Sequence, residues 1–331
     1  MRLAHHFFAI ILLTLPGFAI ALEPEVQAAK DEGMQLYNIG ESTRALPYLE
    51  QAAEAGDVEA MYYMGEAERR QKMGGMTLKA MNWYLQAAEQ GDPYAMLRLF
   101  EGGACIAGDE CPEDAEGWRE KALAETLPRA EAGDTDAMLA LYHVYRLMDD
   151  RGEGVDWLEK AAKAGNPEAQ TRLGMNIRGG QGWYFLESRR LEAAAEWFRK
   201  AAEQGYVPAM SSLSGVLEKL DDHDQAWRWK VRASDNGYVD DRLTLGWCYL
   251  NPDELNKETN VDVCSNKRDI VKGWAILTAL KREIGLRAAE RVLEWNEDRL
   301  DDQKKHQAED LAEEWMKKQP PLSNFPPRFG F

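Results

Sequence analysis

The chain has 331 residues and a formal net charge of −17, from 40 Lys and Arg against 57 Asp and Glu. Length alone allows about two domains, and 45% hydrophobic residues are enough to build a packed core, which excludes wholesale disorder. So acidic a chain has no counterion-release drive towards DNA or RNA and is repelled by anionic lipid headgroups, so neither nucleic acid nor a membrane surface is an expected partner.

The first 21 residues read as a cleavable secretory signal peptide. Arg2 is the only charge before Glu23, residues 7–15 are apolar except for Thr14, and Ala19-Ile20-Ala21 gives the small-x-small spacing of a cleavage site. The apolar run is shorter than the ~20 residues a bilayer needs, and Pro16 breaks it. Cleavage after Ala21 predicts an exported, periplasmic protein that is not inserted in the membrane.

From residue 25 onward one phrase recurs, as in Gln51-Ala-Ala-Glu-Ala-Gly56-Asp57 and Lys200-Ala-Ala-Glu-Gln-Gly205-Tyr206. Its glycines are Gly56, Gly91, Gly133, Gly165, Gly205 and Gly237, spaced by 35, 42, 32, 40 and 32 residues. Four residues after each comes Ala60, Ala95, Ala137, Ala169 and Ala209, with Asp241 in the sixth copy. The segment before each glycine carries apolar residues at helical spacing, such as Ala194, Trp197, Phe198, Ala201 and Ala202. The glycine supplies a left-handed helix stop, and Asp57, Asp92, Asp134 or Asn166 then caps the next helix. Each unit is therefore a helical hairpin whose apolar face needs a neighbour, so the hairpins must stack. Pro128 falls inside one predicted helix and predicts a kink there.

These residues resemble the Sel-1-like repeats, relatives of the tetratricopeptide repeats. Ala194-x2-Trp197-x2-Lys200-Ala-Ala-x2-Gly205, Ala80-x2-Trp83-x3-Ala87-Ala-x2-Gly91 and Ala169-x3-Leu173-Gly174 follow the family pattern, over about residues 25 to 290. Residues 25–55 look more tetratricopeptide-like. A seventh unit is placed near Ile270, with a late Gly285 suited to a cap. The predicted fold is all-α: a right-handed solenoid of about seven helix-turn-helix repeats over 22–299, sealed by a C-terminal capping helix over 300–319. The tail 320–331, rich in Pro and Phe, cannot be helical and is extended or disordered.

Four cysteines, Cys105, Cys111, Cys248 and Cys264, allow three disulfide pairings. The parsimonious one is local, Cys105 with Cys111 and Cys248 with Cys264, each closing a loop in an oxidising compartment. Zinc is disfavoured, because the spacings are not C-x-x-C and no His flanks either pair.

Motifs for catalysis are missing. The sequence has no G-x-S-x-G, H-E-x-x-H, Walker-type loop or calcium loop, and nothing selects a converging carboxylate pair for glycoside hydrolysis. No catalytic residue, cofactor or metal is predicted. His143 reads as a structural residue on a helix, and His223 as part of a solvated turn. Trp83, Trp157, Trp197 and Trp229 each lie eight residues before a repeat glycine, a helix-packing position. Two sets remain for binding. The seventh residue after each glycine marks the concave face, where Tyr63, Arg98 and Arg172 stand out; the two Arg either read a carboxylate on a partner or pair with neighbouring Glu. Trp183, Tyr184 and Phe185 sit in an extended loop, as a satellite cluster or as an exposed anchor for a partner.

The resemblance implies a non-enzymatic periplasmic scaffold or adaptor that binds another protein, an envelope component or a secreted toxin. In the toxin case the chain is an immunity protein whose acidity suits a basic target. The alternative is a cell-wall or polysaccharide-associated binding module or hydrolase.

Overall fold

The computed structural model describes residues 22–101, 115–253, 257, 263–264, 267–318 and 320–329. The expected signal peptide and the Cys105–Cys111 pair lie outside these residues. The described residues form sixteen α-helices, one short 3-10 turn at Glu297–Arg299, and no β-strand.

Seven helical hairpins follow one another. They are α1 (Pro24–Asn38) with α2 (Ser42–Glu54), α3 (Val58–Arg70) with α4 (Leu78–Glu89), and α5 (Pro93–Glu101) with α6 (Ala115–Glu131). Next come α7 (Thr135–Leu147) with α8 (Arg151–Lys163), α9 (Pro167–Arg178) with α10 (Glu187–Glu203), and α11 (Val207–Lys219) with α12 (His223–Asp235). The last pair is α13 (Val239–Leu250) with α14 (Ile270–Ile284), and α15 (Arg287–Trp295) and α16 (Asp302–Lys318) close the stack. Ile270 thus opens the second helix of the seventh hairpin rather than a new unit. The Cys248–Cys264 disulfide joins α13 to the connection that leads into α14. α6 continues through Pro128 to Glu131.

The corners are those the sequence marks. All six repeat glycines take positive φ, between 88° and 102°. Asp57, Asp92 and Asn166 accept from the backbone N–H three residues on, at 2.7–2.8 Å, and Asp134 accepts from Asp136 and Ala137. The alanines that follow, Ala60, Ala95, Ala137, Ala169 and Ala209, are buried, so adjacent helices meet closely there. Gly174 has a packing reason of its own: a Cβ there would lie 2.8 Å from the buried Phe198 ring of α10. Trp157 and Trp229 are buried and Trp83 and Trp197 half-buried. Lys160, Lys200 and Arg232, three residues after their Trp, lie 3.7–4.8 Å from the ring centroids.

Consecutive helices pack from α1 to α15, α16 packs back on α14, and the first helices α1 and α3, α5 and α7, and α9 and α11 also touch. This nearest-neighbour packing is that of an α-solenoid. α16 seals the end through an alanine seam, Ala308 and Ala312 against Ala275 and Ala279 of α14. Three larger apolar clusters run along the stack, and the C-terminal tail gives one side chain to each: Phe329, Phe325 and Leu322.

Candidate functional site

The site is the inner wall made by the first helices of the hairpins. Residues 320–329 run extended along it from α13 back to α3, against the order of the repeats.

At the α13 end the tail is held through its backbone. Ser323 N–H donates to the Gly237 carbonyl at 2.9 Å, and Val239 N–H donates to the Ser323 carbonyl at 3.2 Å. A Cβ on Gly237 would sit 2.3 Å from the Pro321 carbonyl oxygen, so close approach and positive φ both require glycine. Asn324 N–H donates to the Asn38 carbonyl at 2.9 Å, which ties the tail to the end of α1. Midway, Phe325 packs 5.8 Å from the Tyr238 ring. Pro326 and Pro327 border a cavity of about 320 Å³ whose wall includes Glu168, Arg172, Met175 and Tyr206.

At the α3 end the tail is held by side chains. The Arg328 guanidinium meets Asp92 Oδ2 at 2.5 Å and lies 4.8 Å from the Tyr94 centroid. Tyr62 OH donates to the Arg328 carbonyl, also at 2.5 Å. The Phe329 ring is boxed by the Arg98 guanidinium at 4.5 Å, His143 at 5.0 Å and Tyr94 at 5.9 Å. Arg172 Nη2 donates to the Phe329 carbonyl at 3.4 Å.

The electrostatics follow from burial. Arg98, 2% exposed, grips Glu66 with Nε at 2.7 Å and Nη2 at 3.2 Å, and Glu101 with Nη1 at 2.8 Å. Tyr84 OH donates to the same Glu66 at 2.7 Å. Burial pushes the Asp92 carboxyl above its usual range, while Arg328 and the N-cap bonds pull it back. Burial, with Arg172, Arg146 and Arg98 nearby, holds the His143 imidazole well below its usual pKa, so it is neutral at pH 7. His143 Nε2 is buried with no hydrogen-bond partner among the described residues, an exception to the usual pairing of buried polar atoms.

Tyr63, Arg98 and Arg172 lie on this wall, but none is a free docking group. Tyr63 is buried against Tyr37 and Tyr62, with ring centroids at 4.9 and 5.4 Å. It is Tyr62, one position earlier, that bonds the tail. Arg98 pairs with neighbouring Glu, and Arg172 lies 3.7 Å from Glu168 while reaching the tail carbonyl. Sequence reasoning missed Tyr62, Asp92, Tyr94 and the partners Arg328 and Phe329. Asp92 was visible only as a helix cap, and it serves both roles. The aromatic loop is different: Trp183 and Phe185 are fully exposed, with Leu186 largely so, and they form no satellite cluster. Among the described residues, no three His, Cys, Asp or Glu are grouped to hold a metal, and no helix is long and apolar enough to cross a membrane.

The Sel1 repeat family matches residues 42–57, 58–92, 138–166 and 167–206. The chain is 27% identical over 228 residues to protein NMB1327 of Neisseria meningitidis serogroup B, covering 69% of this chain and 43% of that protein. A protective antigen of uropathogenic Escherichia coli with an SLR fold superposes with a TM-score of 0.49 at 24% identity, over 90% of this chain and 62% of its own. The immunity protein PA5088 of Pseudomonas aeruginosa gives 0.43 at 20% identity, over 82% and 86%. The chain thus spans less than two thirds of the Neisseria and Escherichia coli proteins.

Proposed function

The chain is a Sel1-repeat protein, and from that premise we propose that it is a non-enzymatic docking scaffold of the bacterial periplasm. The observation that carries this reading is the inner wall itself. It holds an extended peptide by donating side-chain hydrogen bonds to main-chain carbonyls and by boxing a Phe ring, which is how a surface recognises protein. The exposed Trp183 and Phe185 add a second apolar anchor of the kind that dominates interfaces.

Export rests on the N-terminal pattern of Arg2, an apolar run and Ala19-Ile20-Ala21. The buried Cys248–Cys264 disulfide supports an oxidising compartment. Within the docking class, the net charge of −17 favours a basic protein partner. Neutralising a basic toxin delivered to the periplasm, as an immunity protein does, is the specific form this takes.

The test is capture from periplasmic extract on the immobilised full chain, in low and in high salt. A basic protein retained at low salt and released at high salt is the expected result. If nothing is retained at low salt, the docking reading falls.

A further inference from the structure

The inner wall already has an occupant, and the occupant shows what the wall reads. The tail bears a single side-chain charge between Pro320 and Phe331, Arg328, and this cation meets the buried carboxylate of Asp92. The next residue places its ring in a box closed by a guanidinium, an imidazole and a phenol. The carbonyls of both residues are bonded by Tyr62 and Arg172. Pro326 and Pro327 ahead of them fix an extended backbone, which lowers the entropy lost on docking.

Two features make this occupant exchangeable. The tail gives each large cluster of the repeats a single side chain, Leu322 and Phe329 buried and Phe325 partly buried, while the repeats supply the other members. The cavity beside Pro326 and Pro327 also leaves the middle of the tail loosely covered.

We propose that this wall is a recognition site for an extended basic segment in which proline precedes an Arg-Phe pair, and that the C-terminal tail is its built-in, displaceable competitor. The partner class is a protein presenting such a segment, and displacement of the tail is the step that couples partner binding to exposure of the wall. The proposal deepens the docking reading and rests on it. Joined to the scaffold, the tail competes at an effective concentration in the millimolar range, so only a segment matching its chemistry, or one aided by other contacts, displaces it.

The test uses a fluorescent peptide with the sequence of residues 320–331, titrated against the full chain and against full-length Arg328→Ala and Phe329→Ala variants checked for native helicity by circular dichroism. The peptide is expected to bind the variants at least tenfold more tightly than the parent, and to lose that binding when its own Arg is replaced by Ala. Folded variants that bind no better than the parent, or that bind the substituted peptide equally well, overturn the proposal. Hydrogen exchange on the unmodified chain gives a readout that does not depend on a variant folding. Millimolar unlabelled peptide is expected to speed exchange at the hydrogen-bonded Ser323, Asn324 and Phe325 amides, and unchanged exchange overturns the proposal. A partner captured from extract without peptide binding in trans sinks this inference and leaves the docking reading standing. Peptide binding in trans without a captured partner supports the tail as a displaceable occupant of the wall, but overturns the part of the proposal that names a protein partner together with the docking reading it rests on.

Discussion

The two ends of the inner wall hold the same tail by different means. Around α13 the grip is main chain to main chain, through Ser323 with Gly237 and Val239, and such bonds accept almost any sequence. Around α3, α5 and α7 the grip is side chain on side chain, with Asp92 for a cation and a box of Arg98, His143 and Tyr94 for a ring. Repeat units that share one backbone plan have therefore divided the work: one end supplies attachment and the other supplies sequence selectivity. The ends are also stabilised differently. The selective end depends on the buried Arg98–Glu66 pair, whereas the attaching end is cross-linked by Cys248–Cys264 and carries a buried carboxylate, Asp241, where other repeats have Ala.

The largest effect is expected from Arg98→Ala at the selective end. It leaves the buried Glu66 facing only Tyr84 and Arg69 and opens the Phe329 box. Breaking a buried pair from one side costs about 3–5 kcal/mol, read as a drop in chemical-denaturation stability. A loss under 1 kcal/mol would show that the pair is not what holds this end. At the other end, the Cys248→Ala, Cys264→Ala double variant removes a bridge that closes a loop with a sequence separation of 16. That is worth about 3 kcal/mol in the chain-entropy account. If the two ends are independent, the affinity of a 320–331 peptide added in trans stays unchanged in this variant while global stability falls.

The stacking plan was legible because it repeats. A glycine at the end of a helix, an N-cap beside it and a small residue four positions on recur, and every copy votes for the same corner. The occupant of the wall was not legible, because its contacts are not local. Tyr62 and Arg328 are 266 residues apart and Arg172 and Phe329 are 157 apart, and no periodic pattern links them. For Arg98 the sequence leaves two readings open, a partner's carboxylate or a neighbouring Glu, and the structure shows the second. The burial of Arg98 comes from Glu66 on the neighbouring hairpin and Phe329 from the chain's far end, neither of which the repeat register encodes.

Asp241 sharpens the contrast between the ends through pH. Burial raises its carboxyl pKa to about 6, with Asp240 and Glu218 adding to the rise and Ser211 and Lys230 opposing it. Its ordinary value is near 3.9. The folded chain therefore holds this proton more tightly than the unfolded chain does. The cost is absent below about pH 4, grows as pH rises through the window to about 6, and is complete above it. Asp241→Asn removes the titration, so at pH 8 it should be more stable than the parent by about 3 kcal/mol, with the gap closing near pH 4. Denaturation curves of both chains at the two pH values decide the matter. A gap that does not change with pH would mean that the effect is packing rather than charge.

The smallest effect separates two adjacent tyrosines. Tyr62 and Tyr63 are both buried and meet edge to face, but only the Tyr62 hydroxyl is seen bonding the tail. Tyr62→Phe keeps the ring and removes one donor, which costs about 1 kcal/mol. Because the bond serves the tail and not the repeats, the loss belongs to local opening rather than to global unfolding. It should appear as roughly fivefold faster exchange at the Asn324 amide, which is bonded to the Asn38 carbonyl and is freed when the tail lifts, with little change in the melting temperature. Tyr63→Phe should leave that amide as it was. Equal acceleration in the two variants would mean that the tail senses the packing of the aromatic cluster as a whole, and that the selective end reads shape rather than the Arg328 carbonyl.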